Sequence, residues 1–325
     1  MATFLVTGAA GFIASRVTNL LLDRGDSVVG IDSLNDAYDP RLKHVRLEQL
    51  QRREGFSFLK GDIVDRSFVD KSFADAGPFE AVINLAARAG VRQSVENPWI
   101  YVETNTTATL NLLEACRNSG TKKFVLSSTS SLYGKDNDLP FSEDADTNRP
   151  LSPYAASKKA AEALCYTYHH LYGIDVSVYR YFTVFGPLGR PDMSIFRFVQ
   201  WISEGRPVLI YGDGKQSRDF TFVDDIACGT IAGLKPLGYE VINLGSDQPV
   251  ILMDSLHLVE KYVGKKADII YREMHPADVT RTWANITKAQ ELLGWSPQVS
   301  HEEGIRRTVE WYQQNRSWAK DLRTD

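Results

Sequence analysis

Apolar residues gather in short, nearly unbroken runs through the first half of the chain: ATFLVT (2–7), SVVGID (27–32), FSFLK (56–60), AVINLA (81–86) and KFVLSS (123–128). Runs rich in Val, Ile, Leu and Phe predict strands buried on both faces, as parallel strands are. Between them the spacing turns helical, from Phe12 to Arg24, where Gly25 ends the pattern, and from Tyr101 to Asn118. Strand–helix alternation of this kind predicts an α/β fold with a Rossmann-like, doubly wound parallel sheet. VSVYRYF (176–182) predicts a further strand of that sheet, running into a Gly- and Pro-rich loop. Beyond it come short strands, PVLIYG (207–212) and ADIIY (267–271), and helices from about Met253 and Ile305. These predict a second, smaller α/β lobe. VINLGS (241–246) has the look of a sheet strand again, so the chain is expected to cross back. The expected division is 1–182 with 219–247 for the sheet domain, and 183–218 with 248–325 for the smaller lobe.

Composition narrows the class of function. The 325 residues are 43% hydrophobic and 24% charged, with a formal net charge of −4. A mildly acidic chain lacks the clustered Lys and Arg of a nucleic-acid binder, so no nucleic-acid partner is expected. No apolar run approaches membrane-spanning length, and no basic leader precedes the first strand, so neither membrane nor signal peptide is expected. Cys116, Cys165 and Cys228 stand far apart, which predicts reduced core thiols of a cytoplasmic protein and no metal site.

VTGAAGFIAS joins the first strand to the first helix and spells Gly8-x-x-Gly11-x-x-Ala14. Gly8 permits a tight turn, Gly11 lets backbone approach a pyrophosphate, and Ala14 is small enough for helix–strand packing. The helix then offers free N–H groups to phosphate; by itself the motif also fits a plain strand–helix turn. Asp32 ends the second strand at the spacing expected for an acid on the adenosine ribose hydroxyls. No Arg follows it at once to neutralise a 2′-phosphate, which favours NAD over NADP. Asp62, after the third strand, suits either the adenine edge or a loop cap.

In LSPYAASKKAAEAL, Tyr154 and Lys158 lie four apart, on one helical face. Ser152 is a good N-cap and Pro153 a good first residue, which puts Tyr154 in the first turn. There the helix dipole and a lysine ammonium are both expected to lower the phenol's pKa, so that it exchanges a proton with a substrate hydroxyl. The bland alternative is an ordinary amphipathic helix. SSTSSLYG (127–134) ends the fifth strand with a hydroxyl-rich run at the ligand-binding edge of such sheets.

TGAAGFIA, NLAARAG, SSTSSLYG, SPYAASK and RDFTFVDDIA together resemble the extended short-chain dehydrogenase/reductase family of nucleotide-sugar enzymes, over nearly the whole chain. DSLNDAYDPRLKHVRL, AGVRQS and FTVFGPLGRPDM resemble its UDP-glucuronate 4-epimerases more narrowly. The resemblance implies Tyr154 as general base and acid, Lys158 as its tuner and a nicotinamide-ribose ligand, and Thr129 as a second hydroxyl on the sugar O4. It implies that Gly8, Gly11, Phe12, Ile13, Asp32, Asn35, Asp62, Ile63, Leu85, Ala86, Ala87, Asn105, Ser127, Tyr154, Lys158 and Tyr181 line NAD. It implies a uridine diphosphate pocket drawn from the second lobe, with Tyr211, Arg218 and Asp278, and a homodimer through the helices around 101–118 and 154–171. Arg218 also reads as a surface cation beside Asp219. Arg92 suits a substrate phosphate or carboxylate and, equally, a solvated loop. The chain departs from the family pattern at Ala14 for glycine, Ser33 for asparagine and Ala277 for glycine; none removes a group the reaction needs.

The hydroxyl run separates reactions. Dehydratases resemble T-D-E-V-Y-G there and decarboxylases T-S-E-V-Y-G, whereas Thr129, Ser130 and Ser131 bring no carboxylate. That leaves a 4-epimerase. A uronate substrate would pass through a β-keto acid, which loses CO₂ unless its carboxylate is held out of alignment. Thr183 and Arg190 suit that role, with Ser130 and Ser131 as helpers; Arg190 could instead simply pair with Asp192. Rivals are a 4-epimerase of a neutral or N-acetylated UDP-sugar and a non-catalytic NAD-sensing regulator on the same fold.

Overall fold

The computed structural model describes residues 2–274 and 278–324; Ala277 lies outside them. Twelve strands form among the described residues: β1 Thr3–Thr7, β2 Ser27–Asp32, β3 Phe56–Lys60, β4 Ala81–Asn84, β5 Lys123–Thr129, β6 Asp175–Tyr181, β7 Thr183–Phe185, β8 Val208–Tyr211, β9 Ser217–Phe222, β10 Tyr239–Leu244, β11 Pro249–Ile251 and β12 Ile269–Arg272. Seven make one sheet in the order β10-β6-β5-β4-β1-β2-β3, every neighbouring pair parallel. The fold is α/β, with a doubly wound parallel sheet flanked by helices. Burial explains the apolar runs, since β4 and β5 are buried at every residue. From β1 the chain winds outward through β2 and β3, then returns to the other side of β1 at β4. That reversal opens a crevice at the carboxyl ends of β1 and β4, where such sheets bind ligands.

The second half adds a sheet β11-β9-β7 and the pair β12-β8. RYFTVF therefore does not run straight from strand into loop. Thr183–Phe185 forms a second short strand that pairs with Phe220–Phe222, sequence-distant residues no local pattern could indicate. VINLGS does return to the main sheet, as β10 beside β6. Phe185, Phe196, Phe220, Phe222, Ile305 and Tyr312 join a separate apolar core beneath the smaller sheets. Among the described residues no helix is long and apolar enough to cross a membrane.

Two readings change. Cys116 and Cys165 are buried, but Cys228 is exposed, on the outer side of the helix Val223–Ala232. The helical stretch at Tyr101–Asn118 starts earlier, at Pro98, and widens into a π turn over Val102–Thr107 before the helix Ala108–Ser119. The Asn105 side chain grips both backbone groups of Arg88, accepting at 2.9 Å and donating at 3.0 Å, and donates to Ser157 Oγ at 2.9 Å. Thr109 Oγ1 takes the Asn105 carbonyl at 2.7 Å. Side-chain bonds of this kind inside the helical ladder are an ordinary cause of such widening.

Candidate active site

A cleft of about 800 Å³ runs from the crevice of the main sheet to the smaller sheets. Every candidate residue from the sequence lines it except Asn105. Asn105 is 1% exposed and spends its side chain on Arg88 and Ser157. It braces the loop after β4 from behind.

The turn between β1 and the helix Phe12–Asp23 is built for close approach. Gly8 has φ +68°, and a Cβ there would sit 2.8 Å from the Ala86 Cα. The turns after β1 and β4 are therefore pressed together, and Thr7 Oγ1 joins them by donating to Asn84 Oδ1 at 2.7 Å and accepting from Ala86 N at 3.1 Å. No side chain caps the helix at Gly11, and its first intrahelical bond runs from Ser15 N to the Gly11 carbonyl. The N–H groups of Phe12, Ile13 and Ala14 consequently face the cleft as an anion cradle. Asp32 is buried at the end of β2, where it accepts from Ala10 N at 3.2 Å and Leu34 N at 2.8 Å. Lys43, unnoticed in the sequence, lies 3.5 Å from Asp32 and donates to Asn35 Oδ1 at 3.0 Å. Asp62 caps its own loop at Val64 N, 3.0 Å away, while also lining the cleft beside Ile63. Leu85, Ala86 and Ala87 form the opposite wall, and Tyr181 contributes its ring while its hydroxyl pairs with Thr230 at 2.7 Å. Glycines, open N–H groups and a carboxylate on the adjacent strand fit a dinucleotide.

Tyr154 stands in the first turn of the helix Pro153–Tyr172, with Ser152 Oγ accepting from Ala155 N at 3.2 Å. Its ring packs edge-on against Tyr101 at 6.1 Å between centroids. Lys158, one turn on, is 3% exposed and donates to the Ser127 carbonyl at 2.8 Å. The expectation of a lowered phenol is reversed. Burial pushes the Tyr154 hydroxyl above its ordinary pKa, and the neighbouring Thr129 side chain and Arg190 guanidinium pull it back only in part. Lys158 is itself brought down to about 8 by burial, against the opposing charge of Glu162. Desolvation at the base of the cleft outweighs the Thr129 hydroxyl and the Arg190 charge.

Thr129 ends β5, accepts from Ser131 N at 3.1 Å and opens a turn of 3₁₀ helix over Ser130–Tyr133. Hydroxyls 129 to 131 are thereby gathered at the cleft, with no carboxylate among them. Facing them, Arg190 pairs with Asp192 through Nε at 3.0 Å and Nη2 at 2.5 Å. The loop pairing considered from sequence is thus formed, yet Arg190 and Thr183 also line the cleft. Arg92 is no solvated loop cation. It grips Asp278 at 2.5 Å and 3.3 Å, and stacks 4.2 Å from the Tyr211 ring centroid. Arg218 does not pair with Asp219, which turns inward to accept from Ser246 N, Asp247 N and Ala284 N. Burial lowers the Arg218 pKa while Asp278 opposes. Among the described residues Asp278 pairs with Arg92 alone, while Arg218 donates to the Ser217 and Thr280 carbonyls, so the excess positive charge suits a diphosphate.

Comparison with known proteins agrees with this geometry. A family model described as GDP-mannose 4,6-dehydratase matches residues 5–308. The UDP-glucuronate 4-epimerase of Thermodesulfobacterium geofontis is 55% identical over 99% of this chain and 100% of its own. The UDP-glucuronic acid 4-epimerase of Bacillus cereus, solved with UDP-glucuronic acid and NAD, superposes with a TM-score of 0.90 at 38% identity, covering 96% of this chain and 99% of that one. The UDP-glucose 4-epimerase of Thermotoga maritima, solved with UDP-glucose, also gives 0.90, at 32% identity and the same coverage. Backbone likeness alone therefore does not choose between an acidic and a neutral sugar. With its glycine turn, its Tyr154–Lys158 helix and these matches along nearly all its length, the chain belongs to the extended short-chain dehydrogenase/reductase family of nucleotide-sugar enzymes.

Proposed function

We infer that this protein is a UDP-glucuronate 4-epimerase, interconverting UDP-glucuronate and UDP-galacturonate with tightly held NAD. The observation that carries the reading is the convergence of Tyr154, Thr129 and Arg190 on one cleft whose 130 and 131 positions bear hydroxyls. The 55% identity to a UDP-glucuronate 4-epimerase supports the acidic sugar over the neutral one.

NAD, when bound, supplies the two-electron acceptor and donor for C4. Gly8, Gly11 and the N–H groups of residues 12–14 would hold its pyrophosphate, Asp32 the adenosine ribose, and Lys158 the nicotinamide ribose. Tyr154 takes the O4 proton as C4 becomes a ketone and returns it once the configuration is reversed, while Thr129 keeps O4 within reach of the phenol. Arg92 and Arg218 anchor the diphosphate, with Asp278 orienting Arg92, leaving the sugar free to turn over about that link. A dehydratase would need carboxylates where Ser130 and Ser131 stand, and a decarboxylase one where Ser131 stands. NMR of the product from UDP-glucuronate, with no cofactor added, tests the whole reading. UDP-galacturonate is expected; turnover of UDP-glucose or UDP-N-acetylglucosamine alone would refute it.

The reading includes a homodimer and a cytoplasmic setting, where an exposed thiol such as Cys228 stays reduced. Trp99 is 77% exposed, Val102 46% and Leu171 59%, on or beside the helices expected to pair. Apolar exposure of that order marks contact surfaces. Light scattering is expected to give twice the chain mass of 36.5 kDa; the single mass at micromolar concentration would exclude the dimer.

A further inference from the structure

The stretch DSLNDAYDPRLKHVRL contains more than the acid that begins it. We propose that Arg46 is a positioning residue for the substrate loop, fixing Arg190 against the dinucleotide turn; the inference rests on the carboxylate role of Arg190 given above. Arg46 is 1% exposed. A guanidinium that deep normally meets a carboxylate, yet this one spends its donors on neutral oxygens from three segments. Nη1 donates to the Ala10 carbonyl at 3.0 Å and to the Tyr38 hydroxyl at 2.7 Å. Nε and Nη2 both donate to the Leu188 carbonyl, at 3.1 and 2.5 Å.

The acceptor on the substrate loop is telling. Leu188 has φ +58°, a left-handed conformation costly for a leucine. It stands two residues before Arg190, in a loop otherwise closed by the bond from Gly189 N to the Gly186 carbonyl. The forked guanidinium holds the strained peptide from one side, and no other side chain type presents two parallel N–H groups in that way. Tyr38 completes the unit. Its ring centroid lies 5.6 Å from the Arg46 guanidinium, 5.7 Å from that of Arg190 and 5.5 Å from Lys43 Nζ. One aromatic ring therefore spaces the positioning cation from the reading cation, while Arg46 reaches the turn between Gly8 and Gly11 through Ala10. Specificity for the acidic sugar is thus set partly by a residue that lines no part of the cleft.

The test compares the holoenzymes of the parent, Arg190→Ala, Arg46→Met, Arg46→Lys and the double variant Arg46→Met/Arg190→Ala. KM for UDP-glucuronate, affinity for UDP and bound NAD content are measured for each. Arg46→Met is expected to raise KM about tenfold, as loss of charged hydrogen bonds allows, with UDP affinity and NAD content unchanged. Arg46→Lys, a point donor, is expected to recover only part of the loss. The double variant is expected to be no worse than Arg190→Ala, because both changes remove one function. Additive losses, or equal losses of UDP and UDP-glucuronate affinity, would overturn the proposal, as would loss of NAD without a change in KM. Should Arg46→Met fail to fold, Tyr38→Phe keeps the ring and removes one acceptor; it is expected to shift KM about threefold in the same sense, and no shift would count against the unit. An undamaged Arg190→Ala would sink the carboxylate role itself, whereas a damaged Arg190→Ala beside an intact Arg46→Met would sink only this inference.

Discussion

Tyr154→Phe is expected to lower kcat for UDP-glucuronate by about 10³–10⁴-fold, the range for loss of a positioned proton-transfer group, with UDP affinity and NAD retention preserved. The substitution removes one oxygen and little else. The ring keeps its edge contact with Tyr101, and the helix keeps its Ser152 cap and Pro153 start. The glycine turn, the N–H groups of residues 12–14 and Asp32 are left as they were, so a fall in kcat without a fall in binding isolates the chemical step. The electrostatics sharpen the expectation. Burial raises the phenol's pKa, so its base form grows scarcer as pH falls, and the parent's rate of O4 deprotonation is expected to rise with pH on the acid side. The residual rate of the variant is expected to lose that limb. Steady-state kinetics across pH, with UDP titrations, would show both. Activity within tenfold of the parent, or an unchanged acid limb, would remove Tyr154 from the proton path.

What could be read from the chain, and what could not, divides by the distance over which each feature is determined. The runs around Leu5, Val29, Ile83 and Val125 declare buried strands because a residue's own neighbours carry the signal. Gly8 and the pair Tyr154–Lys158 declare themselves by spacing within one turn. The pairing of Thr183–Phe185 with Phe220–Phe222 has no such local mark. The wide turn at Val102–Thr107 depends on Asn105 meeting Arg88 and Ser157, one of them about fifty residues away. The direction of the Tyr154 shift failed for the same reason. Helix dipole and lysine are visible in sequence, but desolvation is a property of the assembled cleft. Lys43 and Arg46 carry no mark of their own in the sequence, because 41–51 holds many charges; only the fold shows which of them point inward.

Arg190→Ala is expected to raise KM for UDP-glucuronate by about 10- to 100-fold, the worth of a charge-assisted hydrogen bond, and to release CO₂ with a UDP-pentose product. The pairing with Asp192 shapes the argument. Asp192 takes Nε and Nη2, and among the described residues no hydrogen bond engages Nη1, whose two N–H groups are left for a carboxylate. Holding the sugar carboxylate ionised and out of line with the C4 carbonyl opposes the loss of CO₂ from the 4-keto stage. Removing Arg190 does more than delete a donor. It also leaves Asp192 in a desolvated site without the cation that lowers its pKa, so that pKa moves up. Below it Asp192 is neutral; above it the anion repels the uronate. In Arg190→Ala, KM is therefore expected to climb further as pH rises, and Arg190→Ala/Asp192→Asn is expected to lose that climb and bind better at high pH. UDP affinity is expected to stay constant in both, since Arg92 and Arg218 are untouched. Kinetics with UDP-glucuronate across pH, together with trapped ¹⁴CO₂ from labelled substrate, separate the terms. Unchanged KM and no CO₂ would leave Arg190 as a loop brace for Asp192, and a pH-independent KM in the single variant would remove Asp192 from the electrostatics of the site.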